Sequence, residues 1–278
     1  MIRSFIVLCF SSLIILGCGA NPTAPSDLNI TNGLVIDETE YPSVVHLFRK
    51  NYVNGKRKGS SLCTGTWIAE DLILTAAHCT GDGPSDDQGR VQDLEMFVIT
   101  ITDHKTQPKT SQAVTVVTDA WRPKAWEKTK KSNRYDVAIL RTLPRQDGEP
   151  ARVVSPISQE TPAVGDEITM VGFGYHNMSR FGKKGDDRKR MGFNQIDSVK
   201  NGFINTTGEV KDKSGGADGQ NVSSGEGDSG GPMFLNGAII GVASSGGTEG
   251  IFGRGSSSHV DLKTCEWFQE ALKRQDLF

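Results

Sequence analysis

Cysteine is scarce in this 278-residue sequence: there are five, and Cys9 and Cys18 fall within the first twenty residues. The other three, Cys63, Cys79 and Cys265, do not have the spacing of a zinc site, and no metal is expected. Charge of one sign is also missing. Lys+Arg 31 against Asp+Glu 33 leaves a net charge of -2, so nothing electrostatic points to nucleic acid. Only 23% of the residues are charged and 36% are hydrophobic, which excludes a disordered polyelectrolyte. No run of apolar residues is long enough to span a membrane, which excludes a multi-pass membrane protein. Glycine, by contrast, is plentiful at 32 against 11 prolines, without a collagen period, and favours strands joined by many turns.

Residues 1–18 read as a signal peptide. Arg3 supplies a short positive region, and Phe5 to Ile15 form an apolar run interrupted only by Ser11 and Ser12. The run ends in Ile15-Leu16-Gly17-Cys18, which resembles the lipobox of bacterial lipoproteins, where the cysteine is lipidated and becomes the first residue. Leu16 is bulkier than usual for that motif, and ordinary secretion with cleavage after Ala20 is the alternative. Both routes take the protein out of the cytoplasm, as an envelope lipoprotein or a secreted protein. Residues 19–29 then form a polar tether or propeptide with no periodicity.

An oxidising compartment permits one disulfide, and Cys63 with Cys79 is the only short pair. Closing a loop of about 16 residues stabilises by roughly 3 kcal/mol on the chain-entropy model. Cys265 is then left as a buried thiol on a helix. From residue 30 onward the pattern is short strands, at 66–69, 72–75, 97–102, 113–117, 137–140, 167–171 and 239–243. Asp82-Gly83, Asp147-Gly148 and Asn236-Gly237 mark turns between them. The stretch from Tyr175 to Asn221 is polar and Gly-rich with no core pattern, and its basic run Arg180 to Arg190 reads as a solvated loop. Near the end, Val260, Leu262, Trp267, Phe268 and Leu272 recur at helical spacing, which predicts an amphipathic helix over about 260–275.

Three segments carry chemistry. Leu74-Thr75-Ala76-Ala77-His78-Cys79 ends a β-rich stretch in small residues and a histidine. Tyr135-Asp136-Val137-Ala138-Ile139-Leu140 sets a carboxylate at the mouth of an apolar strand. Gly225-Glu226-Gly227-Asp228-Ser229-Gly230-Gly231-Pro232 surrounds a serine with glycines, which permit a tight turn and two convergent backbone N–H groups. Each alone has a structural reading, but His, Asp and Ser in this order with these flanks resemble the chymotrypsin-like (trypsin-fold) serine proteases.

The resemblance covers residue 30 to the end and implies an all-β fold: two antiparallel six-stranded β-barrels, about 30–145 and 146–262, and a C-terminal α-helix. The active site would lie between the barrels. His78, Asp136 and Ser229 would be the catalytic residues, and Gly227 and Ser229 the oxyanion hole. Cys63 and Cys79 match the family bridge beside the histidine, and Met170-Val171-Gly172-Phe173-Gly174 matches its Gly-aromatic-Gly segment. Six residues before Ser229, Ser223 stands at the pocket floor, with Ser244, Gly246 and Gly255 along the walls. A neutral floor implies large uncharged residues before the scissile bond, although Glu226 and Glu249 could lend negative charge. Ile30 would become the mature amino terminus and pair with Asp228. Asp27-Leu28-Asn29 precedes it without Arg or Lys, so the activating protease is not trypsin-like. The other family disulfides are absent, with Gly225 in place of one cysteine. The implied partners are protein or peptide substrates, with no cofactor, a monomeric state and a membrane contact only through lipid on Cys18. Two other readings stand beside this one: a catalytically silent binding protein on the same fold, and a structural envelope lipoprotein.

Overall fold

The computed structural model describes residues 30–274, apart from 54, 104–109, 130–133, 180–181, 210–215 and 250–253. The expected signal peptide, with Cys18, and the expected tether 19–29 lie outside the described residues. A short first strand, β1 (Leu34–Val35), is followed by β2 (Val44–Val53), β3 (Lys56–Trp67), β4 (Leu72–Thr75), β5 (Met96–Asp103), β6 (Thr110–Trp121) and β7 (Ala138–Thr142). Strands β2 to β7 close an antiparallel barrel in the order β2-β3-β4-β7-β6-β5. A one-turn helix, α1 (Lys124–Thr129), lies between β6 and β7.

The second unit contains β8 (Glu167–Gly172), β9 (Asn177–Ser179), β10 (Gly182–Lys184), β11 (Arg190–Gln195), β12 (Ser198–Lys200), β13 (Phe203–Glu209), β14 (Pro232–Leu235), β15 (Ala238–Glu249) and β16 (Arg254–Asp261). Six of them pair as β11-β8-β14-β15-β16-β13, with β1 added beside β11 and β12 beside β13; β9 and β10 form a separate hairpin. The two sides of this sheet meet at Asn194, whose Nδ2 donates to Thr207 O on β13 (3.1 Å) and to Val222 O (2.8 Å). The chain is thus all-β, with two antiparallel units and a small terminal helix, α2 (Glu266–Ala271).

Local chemistry explains several elements. Asn236 and Gly237, both at positive φ (50° and 79°), form the two-residue turn that pairs Leu235 with Ala238. β4 and most of β7 are buried along their whole length, which accounts for their unbroken apolar runs. One hydrophobic cluster runs from Leu47, Trp67 and Ile139 in the barrel through Phe234 and Val242 to Phe268 on α2. The two units therefore share a core.

Three expectations need correction. The C-terminal helix covers Glu266–Ala271, not 260–275; Val260 belongs to β16 and pairs with Val242 and Phe203. Its apolar residues fit helical spacing by chance, because Val260 and Leu262 are buried against the sheet instead. Residues 30–35 belong to the second unit, since Thr31 bridges Ser223 and Leu34 pairs with Met191, so the barrel proper begins at Val44. The polar stretch after Tyr175 contains five strands, and its basic run is not wholly solvated. Lys189 and Arg190 are buried: Arg190 makes a two-pronged bond to Asp186 (2.7 and 3.1 Å), and Lys189 donates to the carbonyls of Glu38, Glu40 and Tyr41.

Candidate active site

His78 sits on a single 3-10 turn, Ala77–Thr80, directly after β4. Ala76 and Ala77 have no exposed surface, so a larger side chain at either would push the turn off the barrel. Disulfide-bonded Cys63 and Cys79 tie the turn to β3. Cys265 is buried just before α2, and burial pushes its thiol up to about 11, which makes it inert. The only grouping of potential metal ligands among the described residues is Cys63, His78 and Cys79, and the disulfide uses both sulfurs.

Asp136, just before β7, is fully buried and holds the histidine from two sides. Its Oδ1 accepts the backbone N–H of His78 (2.9 Å), and its Oδ2 lies 2.8 Å from His78 Nδ1. Oδ2 also accepts the Ser244 hydroxyl (2.6 Å). A carboxylate with three such neighbours needs no water, and it favours the tautomer with the proton on Nδ1. Nε2 of His78 is then the basic nitrogen. Ser229, His78, Gly227, Glu226 and Tyr175 line one cavity of about 580 Å3 between the units.

The segment around Ser229 is shaped by close approaches. Gly227 and Gly230 lie at φ 103° and 82°, and a Cβ on Gly230 would be 2.0 Å from Thr75 Oγ1. Asp228 is buried against Gly172 and Gly174, where any Cβ would collide with its carboxylate. It accepts N–H bonds from Gly174 (2.7 Å) and Gly225 (2.6 Å). Burial nonetheless pushes its pKa up to about 7, only partly offset by those bonds and by the Arg190 charge. Ile30 is buried in a cluster with Ile168, Met170, Val222 and Met233.

Ser223, Gly246 and Gly255 lie near one another. Ser223 is buried, exchanges backbone bonds with Thr31 and gives its hydroxyl to Gly255 O (3.2 Å). Gly246 passes so close to Ser224 that a Cβ would stand 2.8 Å from its carbonyl oxygen. Ser244, on β15 two residues before Gly246, gives its hydroxyl to Asp136 (2.6 Å). Of the two acids, Glu226 is exposed at the cleft, whereas the Glu249 side chain lies outside the described residues.

Arg122 was not anticipated from the sequence. Its fully buried guanidinium donates to Thr80 Oγ1 (2.7 Å), to Gly81 O (2.5 Å) and to Gly83 O, and pairs with Glu127 (3.0 Å). Trp126 lies under it, 4.5 Å from ring centroid to Cζ. It clamps the chain immediately after the His78 turn, and nothing in Trp-Arg-Pro announces that. Hydrogen bonds from Ser85 and Arg122, with the nearby cations, hold Glu127 down at about 2 despite burial. Arg122→Ala is expected to lower stability by about 3 kcal/mol, the low end for breaking such a pair because Glu127 still reaches water. Urea midpoints of the two proteins check it, and a loss below 1 kcal/mol would remove the clamp from the argument.

Comparison with known proteins follows the same pattern. A family model described as Trypsin matches residues 30–259. A trypsin of Saccharopolyspora erythraea is 27% identical over 205 residues, covering 70% of this chain and 83% of that protein. Cathepsin G of Mus musculus is 26% identical over 198 residues, 69% of each chain. Among solved structures, neuropsin, a serine protease of mouse brain, aligns over 88% of this chain and 100% of its own with a TM-score of 0.57 and 15% identity. Human heparin binding protein aligns over 88% and 97%, also at 0.57, with 16% identity. These two neighbours speak for the fold, and the family model, spanning both units and the cleft between them, goes further: the chain belongs to the trypsin family.

Proposed function

We infer that this protein is an extracytoplasmic serine endopeptidase that works through an acyl-enzyme, with Ser229 as nucleophile, His78 as base and Asp136 as the group that orients it. The observation that carries the reading is the buried Asp136 carboxylate, bonded to both the backbone and the ring of His78 and to Ser244. Family membership supports peptidase chemistry, since its members act on proteins and peptides. Ser229 Oγ attacks a peptide carbonyl while His78 Nε2 takes its proton. The oxyanion that forms is held by the N–H groups of Gly227 and Ser229, an effect worth about 3 kcal/mol per donor. The proton on His78 passes to the leaving amine, and water then repeats the sequence to free the acid and restore Ser229. Asp136 stabilises the imidazolium at both stages and keeps its own charge.

A neighbour of equal fold similarity is named for binding heparin, so a silent binding protein is the competing reading. The intact His78, Asp136 and Ser229 set argues against it. Reaction with a fluorophosphonate followed by peptide mass mapping separates the two: label on Ser229 supports the enzyme, and no label on folded protein favours the binding module. Export as a lipoprotein through Cys18 or by cleavage after Ala20 is distinguished by the mass of the amino-terminal peptide.

The pocket supports a preference for uncharged, large side chains before the scissile bond. Ser223 presents no charge, and its hydroxyl is already given to Gly255. Profiling on a peptide library should therefore show aromatic or large aliphatic residues at that position. A dominant preference for Arg or Lys would overturn the assignment and point to Glu226 as the charge that matters.

A further inference from the structure

We propose that Thr64, a residue of the first barrel, is a positioning residue for the oxyanion hole of the second unit; this rests on the serine endopeptidase reading. Thr64 lies on β3, fully buried. Its backbone N–H donates to Ser229 O (2.8 Å), and its hydroxyl donates to Gly227 O (3.0 Å) while accepting the N–H of Phe173 (3.2 Å). Thr75 fixes it in turn, by a hydroxyl bond to Thr64 O (2.8 Å). Phe173 is itself held by a parallel stack on buried His46, 4.7 Å between ring centroids.

The importance of these bonds follows from the planarity of the peptide unit. A C=O and the N–H that follows it share one plane and point in opposite directions, so holding one aims the other. Four consecutive planes run through the nucleophile segment. The first is held by Tyr175 N on Glu226 O (2.7 Å), which turns the Gly227 N–H the opposite way. The third is held by Gly231 N on Asp228 O (2.8 Å), which likewise aims the Ser229 N–H. Thr64 holds the carbonyl ends of the second and the fourth, by its hydroxyl and its amide, while their N–H ends reach Gly225 O (3.2 Å) and Ala243 O (2.7 Å).

Gly227, at φ 103° and without a Cβ, is the one residue here free to rotate between the first and second planes. The Thr64 hydroxyl, together with the longer Asp228 N–H bond to Gly225 O (3.2 Å), removes that freedom. A β-branched side chain suits the task, since its χ1 is stiff and points the hydroxyl without further bonds. Preorganised donors act only if they do not have to turn when the charge develops. Loss of the hydroxyl should therefore slow the chemical step and leave substrate binding alone.

The test compares Thr64→Val, nearly the same shape without the hydroxyl, with Thr64→Ala and Thr64→Ser. Steady-state kinetics on the best peptide of the library are paired with the rate of inactivation by diisopropyl fluorophosphate, whose phosphoryl oxygen needs the same N–H groups. Val and Ala variants are expected to lose about 10-fold to 100-fold in kcat with KM within a factor of about two. Inactivation should slow by the same factor, and the Ser variant should stay within about threefold of the parent in both. An unchanged kcat in the Val and Ala variants would overturn the proposal. So would a loss confined to KM, or a Ser variant as slow as the Ala variant. A parent protein that neither cleaves nor reacts would overturn the endopeptidase reading and this one with it, whereas an active parent with indifferent Thr64 variants removes only the role of Thr64.

Discussion

Ser229→Ala is expected to lower kcat/KM at least about ten-thousand-fold while leaving the unfolding midpoint within about 1 kcal/mol of the parent. Ser229 is only partly buried, so its hydroxyl contributes little to the core. His78→Ala should be as severe, and the double variant no worse than either, because the two act as one unit. Asp136→Asn is the sharper test. Its side chain keeps the shape but presents an N–H where Oδ2 now faces His78 Nδ1 and the Ser244 hydroxyl. The imidazole would then be driven to the tautomer with its proton on the wrong nitrogen, at a cost of about ten-thousand-fold in rate. Measured on the library's best peptide, more than a few per cent of parental activity in purified Ser229→Ala would end the assignment.

The second large effect is expected at the amino terminus. In the intact chain Asp228 is buried and its pKa stands at about 7, against 3.8 for the free side chain. A native state that keeps a proton the unfolded state has lost is weakened as pH rises through that interval. Stability of the intact chain should thus fall from about pH 4 to pH 7, by up to about 4 kcal/mol, and level off above. Cleavage before Ile30 is expected to supply a cation for that carboxylate and so to lower its folded pKa. The fall between pH 4 and 7 should then disappear, and kcat/KM should rise about 100-fold or more as the adjacent N–H donors settle. Urea midpoints at pH 4, 5.5 and 7 can be compared for intact and cleaved protein, with a cutting site engineered before Ile30 and Ser229→Ala to prevent self-digestion, and kcat/KM can be read on the same two forms with Ser229 retained. Equal pH slopes in the two forms, or full activity in a form still beginning at Asn21, would remove Ile30 and Asp228 as an activation pair.

Much of the site could be read from contiguous residues. Ala-Ala-His-Cys and the glycines around Ser229 announce themselves because their demands are local: small side chains under a tight turn, and positive φ beside Ser229. The Asn236-Gly237 turn and the Cys63–Cys79 pair were equally plain. Two of the strands that escaped notice have buried polar residues. β16 reads Arg-Gly-Ser-Ser-Ser-His-Val-Asp, a loop by composition, yet Ser257 and His259 are inside it. β11 begins with a buried arginine whose acid lies four residues earlier on a segment that looked solvated.

From the residues alone came the family resemblance, the proposal of His78, Asp136 and Ser229 as catalytic residues, and that of Ser223 as a neutral pocket floor. Folding in three dimensions assigned Ser244 to Asp136, Thr64 to Gly227 and Arg122 to the end of the histidine turn. Those partners are 108, 163 and, at Thr80, 42 residues apart. A motif is visible in one dimension when its constraint is the conformation of a few neighbouring residues. A buried hydrogen bond is not, because a serine, threonine or arginine has the same chemistry on a surface as in a core, and only the partner brought to it from a distant strand decides which it becomes.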